Sequence, residues 1–134
     1  MSLLLDTCVI IWLLDEHEKI PKSLTSRLVS PDVPLFLSHV SYLELAIKYS
    51  SGKLPWSQPP SSIIPPLVEQ MAIEVLPLDE PSIFHLEALP HHHRDPFDRL
   101  LIAQALANEL TMVSPDDRFT LYPVSVLWGN PNSV

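Results

Sequence analysis

Cysteine is nearly missing from this chain of 134 residues: Cys8 is the only one. No internal disulfide framework can form, and the composition suits a reducing cytoplasm. Positive charge is also scarce. Eight Lys and Arg against sixteen Asp and Glu give a formal net charge of −8, which argues against a protein that grips nucleic acid by bulk electrostatics alone. It does not exclude an acidic nuclease site whose cations reverse the local field. The amino terminus lacks a basic n-region, its apolar run is broken at Asp6, and nothing later is long enough to span a bilayer. A soluble, cytoplasmic protein with no membrane segment is expected. Internal repeats and low-complexity segments are absent. Gly52-Lys53 is not a phosphate loop, because the upstream glycine is missing. A phosphatase with a nucleophilic aspartate needs a second acid two positions after Asp6, and Cys8 stands there instead. His91, His92 and His93 are adjacent and cannot all face one ion in regular structure, so no closed zinc site is expected. One histidine should pack near Asp95 and the others should be solvated.

What the chain does have is apolar content. Hydrophobic residues make up 46% and charged residues 18%, enough for a single folded domain over residues 1–134 with a real core. Leu3-Leu4-Leu5 reads as a short buried strand ending in Asp6, followed by a buried helix over Cys8 to Leu14, with Cys8 itself a small buried residue. Pro21 to Val29 reads as a second helix and Pro34 to Ser38 as a second strand. Ser41-x-x-Glu44 fits a capping box, with Val40 and Leu45 as its hydrophobic staple, opening a helix to about Tyr49 that stops near Gly52. The prolines of Lys53 to Pro66 predict a surface loop leading into a helix around Pro65 to Met71. Ile73 to Leu78 is a third strand, with Pro77 marking an edge or an end, and Asp79 caps a helix to about Ala88. Asp95-Pro96-Phe97-Asp98 is a strong helix start, and Leu100 to Ala107 behind it is apolar on nearly every side, as in a core helix. Thr111 to Ser114 is a fourth strand, Pro115 to Phe119 a turn into a short helix, and Val124 to Leu127 a fifth strand.

Strands alternating with helices over short connections predict a three-layer α/β domain with a mainly parallel five-stranded sheet flanked by helices. In such sheets function gathers at the carboxyl ends of the strands, near the switch in strand order. Four acids fall at that kind of place: Asp6, Glu44, Asp98 and Asp116. Each has an ordinary structural reading as a cap or a helix-dipole partner, and Asp95 reads most simply as the cap of its helix. Jointly they are harder to explain. Two carboxylates about 5 Å apart repel by roughly 3 kcal/mol at an effective dielectric near 20, so four together destabilise the fold or force protonation. A hard divalent cation, Mg²⁺ or Mn²⁺, removes that difficulty, and phosphodiester hydrolysis is the natural chemistry of such a site. Lys48, Lys53, Arg94, Arg99 and Arg118 lie close in sequence to the acids. That would suit phosphate or RNA contacts, and it would equally suit solvated surface charge.

The runs Leu-Leu-Leu-Asp6-Thr7, Ser41-x-x-Glu44-Leu-x-Ile-Lys48 with Gly52-Lys53-Leu54, His92-His93-Arg94-Asp95-Pro96-Phe97-Asp98-Arg99 and Val113-Ser-Pro-Asp116 resemble PIN-domain proteins. More narrowly they are similar to VapC-type toxin ribonucleases of toxin–antitoxin pairs. The resemblance covers nearly the whole chain. It implies a Mg²⁺- or Mn²⁺-dependent endoribonuclease, a small antitoxin that blocks the site, and a homodimer. It places metal-binding acids at Asp6, Glu44, Asp98 and Asp116, with Asp95 auxiliary. In that scheme Asp6 and Asp98 hold the ion, Asp116 completes its shell, and Glu44 binds or orients water. Cys8 stands where this subgroup often carries histidine. Pro115 before Asp116 and Asp117 after it leave open which acid points inward, and the Ile63 to Pro66 segment is unusually rich in proline. The rival reading is an interaction module that keeps the fold with little catalysis.

Overall fold

The computed structural model describes residues 1–128. In chain order the elements are β1 (Leu3–Leu5), α1 (Thr7–Asp15), α2 (Lys22–Leu28), β2 (Leu35–Ser38), α3 (His39–Ser50), α4 (Pro60–Gln70), β3 (Glu74–Leu76), α5 (Glu80–His85), α6 (Pro96–Ala107), β4 (Thr111–Val113) and β5 (Val126–Leu127). Short 3₁₀ turns follow α1, α5 and β4, over His17–Lys19, Leu86–Ala88 and Asp117–Leu121. The strands pair in the order β3-β2-β1-β4-β5, and every pair is parallel. This is the α/β sheet the alternation of elements predicts, with β3 at the edge where Pro77 points.

Successive strand residues face opposite sides, and the leucine-rich strands supply an apolar side chain to both. Leu3, Leu5, Leu35, Leu37, Val113 and Leu127 pack with Val9, Ile10, Leu24, Leu28 and Ile64 from α1, α2 and α4. Leu4 and Met112 pack on the other side with Leu101, Ile102 and Ala105 of α6 and with Phe119. Two apolar layers therefore clamp the sheet, each fully buried aliphatic side chain contributing roughly 1.5–3 kcal/mol. α6 is not wholly apolar inside: buried Gln104 hydrogen-bonds the Ser38 hydroxyl and donates to the Pro77 carbonyl, tying the helix to the ends of β2 and β3.

Two local expectations are corrected. α3 begins at His39, directly after β2, because the Ser38 hydroxyl accepts from the Val40 N–H at 2.9 Å. Ser41 is therefore not the cap, and Glu44 has no capping-box role. The Ser41 hydroxyl instead meets that of Thr7 at 2.8 Å, joining the first turns of α1 and α3. The second correction concerns the prolines: α4 starts at Pro60 and runs through Pro65 and Pro66. Each interior proline leaves one carbonyl four residues earlier without its helical partner. Those carbonyls belong to Ser61 and Ser62, which are exposed like the prolines themselves, so they stand open to solvent while Ile64 anchors the buried face. α3 ends as expected at Gly52, whose φ of 76° suits a residue without a Cβ. The following Lys53 N–H donates back to the Lys48 carbonyl at 2.8 Å. Among the described residues no helix is long and apolar enough to cross a membrane.

Candidate metal centre

Parallel pairing sends the carboxyl ends of β1, β2 and β4 to one rim, and the order of strands reverses direction between β1 and β4. A crevice opens at such a point. Asp6 follows β1 immediately, and its N–H continues the ladder to the Val113 carbonyl at 3.0 Å. α6 runs back from this rim toward the start of β4, so its first turn, with Asp95 and Asp98, also stands there. Asp6, Glu44, Asp95, Asp98 and Asp116, together with Lys48 and Cys8, line a single cleft of about 290 Å³.

Each acid is held differently. Asp6 is buried. One oxygen accepts from the Thr7 N–H at 2.7 Å, and the other accepts from the Ser114 hydroxyl at 2.7 Å and, weakly, from the Cys8 thiol. Burial pushes its carboxyl up despite these donors, and the Glu44 charge adds to the rise. Glu44 is buried too. Lys48 Nζ pairs with one of its oxygens at 2.9 Å, while the other, Oε1, is buried without a partner. Asp98 is pushed up to about 8, first by burial and then by the charges of Asp6, Asp95, Glu44 and Asp116. Asp116 is also opposed by burial. The donors Arg118 and His93 outweigh that, and its carboxyl lies below the usual range. Asp117 is exposed and opens the next turn. Of the two, Asp116 faces the cleft. Asp95 caps α6 through the Phe97 N–H at 2.8 Å and still contributes to the cleft wall.

Histidine 93 joins this group without having been marked by its sequence context. It is buried, and Nε2 lies 3.0 Å from Asp98 Oδ2 and 3.1 Å from Asp116 Oδ2. Nδ1 accepts from the Asp95 N–H at 3.2 Å, so the neutral tautomer carries its proton on Nε2 and shares it between the two carboxylates. His93 is thus the histidine packed near Asp95, and His91 and His92 are exposed. Tyr122 fixes the segment: its hydroxyl accepts from the His92 and His93 N–H groups at 3.1 and 3.0 Å and donates to the Pro90 carbonyl at 2.8 Å. Neither link has a local signal, since Tyr122 is about thirty residues away in sequence.

The basic residues divide. Lys48 borders the cleft, and Lys48, Lys53 and Arg94 line a second cavity beside it. Arg99 does not join them: its guanidinium turns back to the Leu89 and Leu86 carbonyls at 3.1 and 3.5 Å. It serves the end of the preceding 3₁₀ turn, and neither cavity includes it. Cys8 is half-buried at the cleft edge rather than buried, and burial together with the Asp6 charge pushes its thiol up. It is a neutral donor, not a thiolate.

The oxygen-rich donor set fits a hard divalent cation. Glu44 Oε1 is a buried acceptor with no donor, and burial together with the surrounding carboxylates favours the protonated form of Asp98. Nε2 of His93 and carboxylate oxygens of Asp98 and Asp116 lie within 4.8 Å of one another.

A parallel five-stranded sheet with acids gathered at its switch point defines an α/β fold with a candidate metal centre at its rim. The PIN-domain sequence profile matches residues 3–124, and the chain belongs to the PIN-domain family. No curated protein matches it. Among solved structures, VapBC2 from Rickettsia felis, bound to a DNA fragment from its promoter, is similar with a TM-score of 0.74 and 18% identity, covering 96% of this chain and 99% of that one. VapBC-1 from nontypeable Haemophilus influenzae gives 0.65 at 23% identity, covering 96% and 98%. VapBC-5 from Mycobacterium tuberculosis, a member of the VapBC family of toxin–antitoxin systems, gives 0.57 at 22%, covering 94% and 95%. At these identities the likeness speaks for the fold.

Proposed function

We propose that this chain is a Mg²⁺- or Mn²⁺-dependent endoribonuclease that acts as the toxin of a toxin–antitoxin pair. The observation that carries the reading is the convergence of the Asp6, Glu44, Asp95, Asp98 and Asp116 carboxylates on one cleft, where burial first and then the other four charges push Asp98 up to about 8. Such repulsion is costly to a fold unless a cation offsets it. Asp6, Asp98 and Asp116 are the residues that would hold the ion, with Asp95 behind them. When bound, a hard divalent cation lowers the pKa of water and stabilises charge developing on phosphate oxygens.

The remaining work falls to the chain itself. Glu44 Oε1 orients the attacking water and takes its proton, while Lys48 holds the other oxygen of the same carboxylate in place. His93 keeps Asp98 and Asp116 turned toward a common point through its shared Nε2 proton. Ser114 and the Thr7 N–H do the same for Asp6. Hydrolysis then forms the bond from water oxygen to phosphorus and breaks the bond to the departing ribose oxygen, which takes up a proton from solvent.

The VapBC complexes that the fold resembles support a small antitoxin as partner. Leu43 and Phe84, 51% and 59% exposed, offer apolar surface to such a protein or to a second copy in a homodimer. The test is cleavage of total RNA by the purified chain with Mg²⁺ or Mn²⁺. Cleavage that a chelator abolishes and added metal restores is expected. Intact RNA under all metal conditions would leave only the rival reading, an interaction module.

A further inference from the structure

The acidic cleft is flanked by cavities that differ in charge. On one side, sharing Glu44, Lys48 and Asp95 with it, lies a cavity of about 420 Å³, within the ~300–1,000 Å³ range of small-molecule sites. Its wall combines three cations, Lys48, Lys53 and Arg94, with three apolar side chains, Ile47, Pro96 and Phe97. On the other side, sharing Pro115 and Asp116, lies a cavity of about 240 Å³ bordered by Asp117, Val126 and Trp128, with no cation in its lining among the described residues. There the nearby cation, Arg118, is engaged by both oxygens of Asp116.

In a chain of net charge −8, the basic cavity is where an anion is welcome. Lys53 and Arg94 are exposed, and neither side chain has an ion-pair partner among the described residues. The turn at Gly52 places Lys53 beside Lys48: the Lys53 N–H bonds the Lys48 carbonyl, closing α3. Phe97 is half-buried and rigidly based, since its N–H is held by the Asp95 cap at 2.8 Å and its ring packs on the core under α6. Ile47 is 46% exposed on the facing helix. An aromatic face, an aliphatic neighbour and unpaired cations are what a single-stranded nucleotide needs: a platform for the base and charge for the phosphate.

Resting on the ribonuclease reading above, we infer that this cavity is a nucleotide subsite. It would take one base of single-stranded RNA against Phe97 and Ile47, with an adjoining phosphate on Lys53 and Arg94, so that substrate is gripped on one side of the cut only. The far side has Trp128 but no free cation among the described residues, so it adds no hold on a phosphate. The chemistry predicts polarity: nucleotides on the basic side of the scissile bond matter, and those on the other side do not.

The experiment uses the purified full chain with Mn²⁺ and nested single-stranded RNA oligonucleotides trimmed from either end of one cut site. Phe97→Ala and the exposed Arg94→Glu should each raise KM about tenfold and leave kcat within about twofold, while Phe97→Trp stays close to the parent. Trimming should raise KM from one end only, with no further loss in Phe97→Ala. Equal losses from both ends, or unchanged KM in Phe97→Ala and Arg94→Glu, would overturn the subsite while leaving the ribonuclease reading intact. If the parent chain cuts no RNA, polarisation of a fluorescein-labelled single-stranded RNA decides separately. Binding weakened about tenfold in Arg94→Glu and Phe97→Ala supports the subsite, and no binding or unaltered binding refutes it. Loss of a partner protein's affinity in Phe97→Ala with RNA affinity unchanged also refutes it, and makes the cavity a protein-docking site.

Discussion

Asp98 and Leu101 stand three residues apart on α6, and their surroundings are opposite. Leu101 is fully buried among Leu4, Ile102, Met112 and Phe119, where every neighbour favours it. Asp98 is half-buried among Asp6, Glu44, Asp95 and Asp116, where these neighbours oppose its charge. One helix turn separates a position that holds the fold together from one that the fold tolerates at a cost. Strain of that kind persists where function needs it, and the two positions should respond to mutation in opposite ways.

The largest expected effect is on activity. Asp98→Asn removes a charge that the proposed cation needs and should lower metal-dependent RNA cleavage by roughly 10²–10³-fold, measured as initial rates at saturating Mn²⁺. Its circular dichroism should match the parent. Leu101→Ala should do the reverse, costing about 2–5 kcal/mol of stability in denaturant titration while activity per folded molecule holds.

A third prediction concerns pH. Asp98, pushed up to about 8 from an ordinary value of 3.8, keeps its proton in the folded chain where the unfolded chain has lost it. The folded state then binds more protons, so metal-free stability falls as pH rises from about 4 to about 8. Asp6 is raised as well and steepens the fall. Thermal melts in chelator should show this decline, Asp98→Asn should flatten it, and Mn²⁺ should oppose it at the alkaline end. The smallest effect belongs to Tyr122→Phe. Losing the hydroxyl frees the His92 and His93 N–H groups and the Pro90 carbonyl, at about 1–3 kcal/mol of stability. A weaker Mn²⁺ affinity should accompany it because His93 is no longer held in place.

The contrast also marks what could be read from the chain before folding. The parallel sheet follows from local pattern, because short leucine-rich strands alternate with helices. The meeting of Asp6 and Asp116 on one rim depends on β1 and β4 being neighbours, which no local pattern gives. Asp95 as a cap is, like the sheet, local. His93 was not legible as the bridge between Asp98 and Asp116, since a three-histidine run gives no hint of which ring turns inward. That choice is made by Tyr122, far along the chain. Ser38 rather than Ser41 caps α3 because the helix follows β2 without a loop, and periodicity cannot place that boundary. Arg99 looked like a phosphate contact by proximity to Asp98, but one position along a helix turns a side chain by about 100°, since an α-helix has 3.6 residues per turn. That turn carried it away from the cleft to the carbonyls behind.

The central claim is that this ring of carboxylates is built for a divalent cation. Equilibrium Mn²⁺ binding at pH 7, followed by electron paramagnetic resonance with proton release measured in parallel, tests it most directly. The account predicts saturable binding that expels a proton from Asp98, with both signals much weakened in Asp98→Asn. Absence of saturable binding, or binding and proton release unchanged in that variant, would contradict it.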